Sequence, residues 1–158
     1  MNNYNDGCIF CNIVQKKEKA WVVHEDSDFI AFLTPFPNTP GFTVIATKQH
    51  LDSNVFTLPD DVYTSLLLFV KKVTAILNHS LHTHRTGLII EGMGVDHAHV
   101  KLVPMHGLSG GEWQAVRSTV NTFSPMYHGF LSSHDGPRMS DTELDDILSS
   151  IKATISSL

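Results

Sequence analysis

One long amphipathic stripe between short β-rich segments constrains the fold of this chain more than any other feature. Pro59, Asp60 and Asp61, which are favourable at the start of a helix, precede the stripe. Its apolar positions are Val62, Leu66, Phe69, Val70, Val73 and Leu77. The spacing i, i+4, i+7, i+8, i+11 and i+15 is that of one helix face. The sequence therefore predicts a long helix that covers one face of a sheet.

Five short segments rich in β-branched and aromatic residues predict the strands of that sheet. They are residues 20–25, 29–33, 42–47, 86–91 and 97–103. The polar residues 26–28 predict a turn that joins the first two strands as an antiparallel pair. Three prolines between residues 34 and 41 remove ladder donors, and they predict a loop before the third strand. We therefore expect a five-stranded sheet with one long helix.

The chain has 158 residues, the length of one compact domain, and no repeat interrupts it. Ser140 and Glu143 form a capping box, which predicts a C-terminal helix. The apolar face of this helix is Leu144, Ile147, Leu148, Ile151 and Ile155. We expect a main domain over residues 1–110 and a C-terminal extension over residues 111–158 that packs on the same domain.

Charge and hydropathy argue against several classes of partner. Lys and Arg number 11 against 16 Asp and Glu, a net charge of −5, and no dense basic stripe interrupts this balance. Duplex nucleic acid is therefore not an expected partner. No apolar run reaches the roughly 18 residues that span a bilayer, and the N-terminus lacks the regions of a signal peptide. We expect no membrane association and a cytoplasmic location.

The segment 97–101 carries the residue types best suited to chemistry. Because side chains alternate along a strand, His97, His99 and Lys101 are predicted to project from one face at intervals of about 6.6 to 6.8 Å. One interpretation is the polar face of a half-exposed strand. The other is a catalytic set, since a neutral imidazole whose Nδ1–H is held by a backbone carbonyl can attack phosphorus, and nearby cations stabilise phosphoryl charge.

Cys8 and Cys11 are the only cysteines, and such a pair does not make the disulfide framework of a secreted mini-domain. His50 follows the third predicted strand and His97 begins the fifth. The two thiols and two imidazoles form a Cys2His2 set suited to tetrahedral zinc. The alternatives are a redox pair, which favours a βαβ setting that this sequence lacks, and two buried free thiols.

Four sequence blocks follow one another in a fixed order: residues 8–14, 31–33, 40–50 and 95–104. The first holds both cysteines and the last holds the His-x-His-x-Lys pattern. Together they resemble the histidine-triad (HIT) family of nucleotide hydrolases and transferases, over about two thirds of the chain. The resemblance implies an α+β fold with a five-stranded antiparallel sheet, which agrees with the predicted strands and helices. It also implies a homodimer, paired through the long helix and neighbouring strands.

The resemblance assigns roles to individual residues. His99 matches the nucleophile, which attacks the α-phosphorus of a nucleotide substrate and forms a nucleotidyl-histidine that water hydrolyses. The implied substrates are nucleoside phosphate derivatives such as dinucleoside polyphosphates and nucleoside phosphoramidates. In zinc-containing, bacterial-type members the metal is structural. Its ligands match Cys8, Cys11, His50 and His97.

Substrate recognition is where the sequence departs from the family pattern. Lys101 replaces the third histidine, and Thr34 stands where the family commonly has an acidic residue that contacts ribose. The loop 91–94 is shorter than the phosphate-contacting loop of the family. The substrate-binding residues that we assign are Phe32, Thr34, Gly94 and Arg138. A nucleotide-binding regulatory protein with no useful turnover is the alternative that these departures favour.

Lys101 and Arg138 are the cations expected at the site. An ammonium with an ordinary pKa of about 10.4 is a poor proton donor at neutral pH. Lys101 is therefore expected to act as a fixed positive charge that stabilises phosphoryl or leaving-group oxygens. This predicts a preference for leaving groups that are already good anions over amines. Arg138 is expected either to form a bidentate hydrogen bond with phosphate oxygens or to belong to a surface loop.

Overall fold

The structure is a computed structural model, and it describes residues 3–127 and Thr142. Helix α1 (Ile9–Val14) is followed by strands β1 (Trp21–Glu25), β2 (Phe29–Leu33) and β3 (Thr43–Thr47). A 3₁₀ turn (Val55–Thr57) leads into helix α2 (Asp60–Leu81), and strands β4 (Thr86–Ile89) and β5 (His99–Pro104) follow. The predicted long helix and five strands are confirmed. Helix α1 is an element that the sequence patterns did not predict.

The five strands form one antiparallel sheet in the order β1-β2-β3-β5-β4. This confirms the α+β fold with a five-stranded antiparallel sheet. Across β3 and β5, Ala46 pairs with His99 and Val44 pairs with Lys101. Because directly paired residues lie on the same face of a sheet, the register places these four side chains together on one face.

The sheet buries both of its faces, each under a different cover. The helix face packs against α2, and its buried strand residues are Phe29, Ala31, Ile45, Val100 and Leu102. The α2 residues buried against it are Leu66, Phe69, Val70, Val73 and Leu77. The histidine face is formed by Ile30, Phe32, Val44, Ala46 and His99. It packs against the N-terminal residues Cys8, Phe10 and Cys11.

The interpretation of residues 97–101 as the polar face of a half-exposed strand is wrong. His97 is 0% exposed and His99 is 2% exposed. The cause is α1, whose Phe10 lies edge-on against both imidazole rings. β5 also begins at His99 rather than at His97. His97 instead lies in a turn, where its N–H donates to the Val95 carbonyl at 2.9 Å.

The segment after β4 leaves the sheet earlier than the sequence predicts. The strand predicted over residues 86–91 ends at Ile89. Gly92 has a φ of 69°, and a Cβ at this position would lie 2.5 Å from the Ser53 carbonyl oxygen. Glycine is the residue that permits both the conformation and the close backbone approach. The chain therefore turns at Gly92, and the ladder stops before it.

The chain divides into two compact units, Met1–Glu112 and Trp113–Leu158. The packing of the C-terminal extension on the main domain stays a prediction. Apart from Thr142, the predicted C-terminal helix lies outside the described residues, and so does Arg138. Within the part of the chain that is described, no helix combines the length and apolar character needed to cross a membrane.

Candidate metal centre and nucleophile

The two cysteines reach the histidine face through the turn that opens α1. Cys8 is extended just before the helix, and Cys11 lies in the first turn, so the spacing puts both side chains on one side. Asn5 fixes the turn, because its carbonyl accepts the Cys8 N–H at 3.0 Å and its own N–H donates to Cys11 Sγ at 3.4 Å. The His50 N–H donates to the Asn3 carbonyl at 2.9 Å. This bond ties the N-terminal segment to the chain after β3.

Four side chains form a compact cluster of metal-ligand atoms: Cys8, Cys11, His50 and His97. All four ligand atoms lie within 4.8 Å of one another. His97 Nδ1 lies 3.3 Å from Cys8 Sγ and 3.3 Å from His50 Nδ1. Cys11 Sγ lies 3.4 Å from His50 Nδ1 and 3.7 Å from His97 Nδ1. Tetrahedral zinc bonds of about 2.3 Å to sulfur and about 2.0–2.1 Å to nitrogen space the ligand atoms about 3.3 to 3.8 Å apart, so the residues fit a tetrahedral metal ion.

His97 is held with Nδ1 directed at this cluster. Its Nε2–H donates to the Thr47 carbonyl oxygen at 2.7 Å. A carbonyl that accepts one ring N–H fixes the tautomer and leaves the other nitrogen with a lone pair for a metal. Burial also lowers the pKa of His97 below its ordinary value, which favours the neutral ring. The protein therefore presents His97 in the form that a metal ligand requires.

The cysteines have the properties of ligands more than of a redox pair. Redox-active thiols are accessible to solvent. Cys8 and Cys11 are both free and both buried. Each Sγ lies within 3.4 Å of an imidazole nitrogen. The arrangement therefore favours metal ligation over dithiol chemistry.

His99 is oriented by the residue two positions before it. Its Nδ1–H donates to the His97 carbonyl oxygen at 2.7 Å, so Nε2 keeps the lone pair that a nucleophile needs. Burial lowers the pKa of His99 below its ordinary value, which keeps the ring neutral at pH 7. The Phe10 ring packs edge-on against it with centroids 5.3 Å apart. His97 thus serves both sites, with its side chain in the metal cluster and its carbonyl on His99.

Lys101 is a paired cation. It lies one strand repeat beyond His99, and its Nζ contacts a carboxylate oxygen of Glu91. The side chains of Lys101 and Glu91 are 25% and 10% exposed. Burial lowers the pKa of Lys101, while contact with the carboxylate favours its charged form. Lys101 was expected to act as a fixed positive charge, and the contact with Glu91 shows that this charge is paired with a carboxylate.

The assigned substrate-binding residues within the described part occupy different environments. Phe32 is buried with its ring 5.5 Å from that of Phe10, so it packs under α1. Thr34 follows β2, and its Oγ1 accepts the Phe36 N–H at 3.2 Å. Gly94 has a φ of 88°, and a Cβ at this position would meet no atom within 4 Å. Of these three residues, Gly94 is the one with open space for a ligand beside its backbone.

Sequence reasoning missed two residues of this site, Phe10 and Glu91. Phe10 contacts both site histidines, and its place between two cysteines is a weak signal because any apolar residue fits there. Nothing in the sequence indicated the contact of Glu91 with Lys101, because that contact depends on how the chain leaves β4 after Ile89, the last residue that pairs with β5.

Residues 15–110 match the model of the HIT domain. This is more than half of the chain, and the chain therefore belongs to the HIT family. An uncharacterised HIT-like protein of Saccharolobus solfataricus is 30% identical over 102 residues, which are 61% of this chain and 73% of that protein. Adenosine 5'-monophosphoramidase of Candida albicans is 27% identical over 106 residues, 61% of this chain and 69% of that enzyme.

A crystal structure of a Streptococcus mutans protein, SMU.412c, superposes with a TM-score of 0.69 at 24% identity. The match covers 98% of this chain and 89% of the Streptococcus chain. At that identity the likeness shows the fold.

Proposed function

We propose that this chain is a nucleotide hydrolase or nucleotidyl transferase that acts at the α-phosphate of a nucleoside phosphate derivative. In the first step, His99 Nε2 forms a bond to the α-phosphorus while the bond from phosphorus to the leaving group breaks. In the second step, water or another acceptor attacks the phosphorus, and the bond to Nε2 breaks. This is covalent catalysis, in which one difficult displacement becomes two easier ones.

The orientation of His99 is the observation that carries the proposal. Its Nδ1–H is held by the His97 carbonyl at 2.7 Å, so the neutral ring presents Nε2 as the nucleophile. Membership of the HIT family supports the reaction class. The Candida albicans relative, named for adenosine 5'-monophosphoramidase activity, supports a nucleoside phosphoramidate as one substrate.

We further propose that the metal is zinc and that its role is structural. Cys8, Cys11, His50 and His97 would supply four protein ligands, which complete a tetrahedral shell and leave no position open for substrate. When bound, zinc would supply a cross-link between the N-terminal segment and the turn before β5. The Thr47 carbonyl orients His97 for this role.

Trapping the intermediate tests the proposed reaction. The protein is mixed with adenosine 5'-phosphoramidate, quenched in alkaline denaturant and measured by intact and peptide mass spectrometry. We expect one added nucleotidyl group on His99, and none in His99→Ala. His79→Ala removes an exposed imidazole of α2 and serves as the matched control that keeps the adduct. Absence of both adduct and turnover in the unmodified protein would contradict the proposal.

A regulatory nucleotide-binding protein with no useful turnover is the second candidate. Thr34 offers no carboxylate to ribose, and its hydroxyl already accepts the Phe36 N–H. Lys101 is engaged by Glu91. Calorimetric binding of a nucleoside monophosphate, together with no adduct in the trapping experiment, would favour this candidate.

We also propose that the chain forms a homodimer through α2 and the neighbouring strands. β4 is an edge of the described sheet, its Leu88 is 43% exposed, and Leu68 of α2 is 63% exposed. An uncovered edge strand with apolar side chains is a typical pairing surface. Light scattering should give twice the mass of the chain, and Leu88→Lys should reduce it to the mass of one chain. A monomeric unmodified protein would contradict this assignment.

A further inference from the structure

The ion pair of Lys101 and Glu91 lies on the same face as the nucleophile. Val44 and Ala46 of β3 pair with Lys101 and His99, so Lys101 lies on the face of His99, and Glu91 contacts Lys101. Side chains two residues apart on a strand share a face, with about 6.6 to 6.8 Å between them. The strand and the ion pair therefore bring an imidazole, an ammonium and a carboxylate together. Glu91 is the more deeply buried member of the ion pair.

The backbone fixes the place of Glu91. The next residue, Gly92, turns the chain with a φ of 69°, and a Cβ there would lie 2.5 Å from the Ser53 carbonyl oxygen and 3.0 Å from the Ser53 carbonyl carbon. This close approach of two backbones holds the turn against the segment before the 3₁₀ turn. The backbone that carries Glu91 therefore leads directly into a closely packed turn.

A cavity of about 150 Å³ adjoins Glu91. Its lining also includes Ser53, Asn54, Phe56 and Met93, and Glu91 is the ionisable residue among all those that line it. The Glu91 carboxylate is thus partly shielded from bulk water, which strengthens its attraction for the Lys101 ammonium.

We propose that Glu91 determines which leaving groups the site accepts, by neutralising Lys101. Nitrogen leaving groups are then not disfavoured against anionic polyphosphate chains. This inference rests on the proposed reaction at His99. It removes the preference for anionic leaving groups that Lys101 alone predicts, because the pair carries no net charge.

The two classes of substrate differ in the bond that breaks. In a phosphoramidate whose nitrogen carries an extra proton, the P–N bond breaks as the bond to His99 Nε2 forms. A neutral amine then leaves with the bonding electron pair. In a dinucleoside polyphosphate the P–O bond breaks, and an anionic phosphate oxygen leaves with the pair. Both reactions give the same nucleotidyl-His99, which water then converts to the nucleoside monophosphate.

Because the adduct is common, single-turnover rates of its formation isolate the leaving group. We would compare adenosine 5'-phosphoramidate with diadenosine tetraphosphate in the unmodified protein and in Glu91→Gln. Gln keeps the size and a hydrogen-bond acceptor but removes the charge. We expect the ratio of the phosphoramidate rate to the tetraphosphate rate to fall about tenfold in Glu91→Gln. The ratio is measured within one protein, so it does not depend on the folded fraction.

Two further variants separate this proposal from simpler effects. Glu25→Gln removes the carboxylate of the exposed Lys48 pair, and the ratio should not change. In a Lys101→Met background, Glu91 has no cation to neutralise, so Glu91→Gln should change the ratio by less than about tenfold. An unchanged ratio in Glu91→Gln, with adduct still forming from both donors, would overturn the role of Glu91 and leave the proposed reaction at His99 in place. Failure of both donors to form the adduct in the unmodified protein would overturn the proposed function and this inference with it.

Discussion

The two faces of the sheet are both buried, but different forces hold them. On the helix face, α2 packs mostly against apolar strand residues, and Leu66, Val73 and Ile45 are 0% exposed. The polar residues on this face are His24, which stacks on Phe69, and the buried Thr43 and Thr47. On the histidine face, buried polar groups are aligned by backbone carbonyls, as His97 is by Thr47 and His99 is by His97. The helix face therefore provides stability by burial of area, whereas the histidine face depends on directional bonds.

This difference separates folding from chemistry. Burial on the helix face tolerates exchange of one apolar side chain for another of similar volume. The histidine face tolerates little exchange, because each donor atom has a specific partner. The His97 side chain lies in the metal cluster and its carbonyl orients His99, so loss of the metal is expected to disturb the orientation of His99 as well. If the two faces are independent, a substitution on one face should leave the properties of the other face unchanged.

The largest expected effect is on catalysis. His99→Ala should lower turnover by at least about a thousandfold, because the nucleotidyl-histidine intermediate cannot form without this imidazole. It should also lower the free energy of unfolding by about 1–3 kcal/mol, because the ring is buried and hydrogen-bonded. Steady-state assays measure the turnover, and urea unfolding measures the free energy of unfolding. Retained turnover would show that His99 is not the nucleophile. The zinc content of the variant should equal that of the unmodified protein.

The metal cluster should give the next largest effect. Cys11→Ser or His50→Ala, or removal of the metal by a chelator, should lower the free energy of unfolding by about 4 kcal/mol and the melting temperature by about 10 °C. The reason is that metal binding cross-links the N-terminal segment to the turn before β5. His79→Ala is the control for His50→Ala. A purified protein without metal, and with a melting temperature that a chelator does not move, would show that the cluster is not a metal site.

The helix face was the part of the fold that sequence could predict. The spacing of Leu66, Val70, Val73 and Leu77 fixes which side of α2 is buried, because a helix face and its period are local properties. The strand alternation also predicted correctly that His99 and Lys101 share a face. Both inferences depend only on the residue order within one helix or one strand.

The histidine face could be predicted only in part. The four metal-ligand residues were identified from the two cysteines and the family pattern, and the structure brings them together. The burial of His99 was missed because it depends on α1, a helix of 6 residues that is too short for a periodic signal. The pairing of Glu91 with Lys101 was missed because it depends on the register between two strands and on a turn at Gly92. Such contacts are set by tertiary packing.

A cavity on the helix face should affect stability and leave the histidine face intact. Leu66 is fully buried, and Leu66→Ala should lower the free energy of unfolding by about 3 kcal/mol, through lost burial and the cavity that remains. Metal content and the single-turnover rate of adduct formation should stay as in the unmodified protein at a temperature well below the melting point. Loss of metal from folded Leu66→Ala would show that the two faces are coupled.

The smallest effect concerns an exposed ion pair at the edge of the histidine face. Lys48 Nζ lies 2.7 Å from Glu25 Oε2, and this hydrogen bond lowers the pKa of Glu25 below its ordinary value. A carboxyl group whose pKa is lower in the folded state stabilises that state at pH values above its pKa in the unfolded chain. This contribution is lost as the pH falls through the pKa of the folded state. Because Glu25 is 45% exposed, solvent screens the pair. Glu25→Gln should therefore cost less than about 0.5 kcal/mol at pH 7.

Urea unfolding of both proteins as a function of pH tests this sign. The difference between them should shrink as the medium becomes more acidic, and it should shrink in high salt as well. A difference that grows on acidification would show that the carboxylate destabilises the fold. Glu91, whose side chain is 10% exposed, is screened less than Glu25. The same measurement on Glu91→Gln should therefore give the larger change in stability and the weaker dependence on salt, which is the contrast expected between a buried and an exposed ion pair on one face.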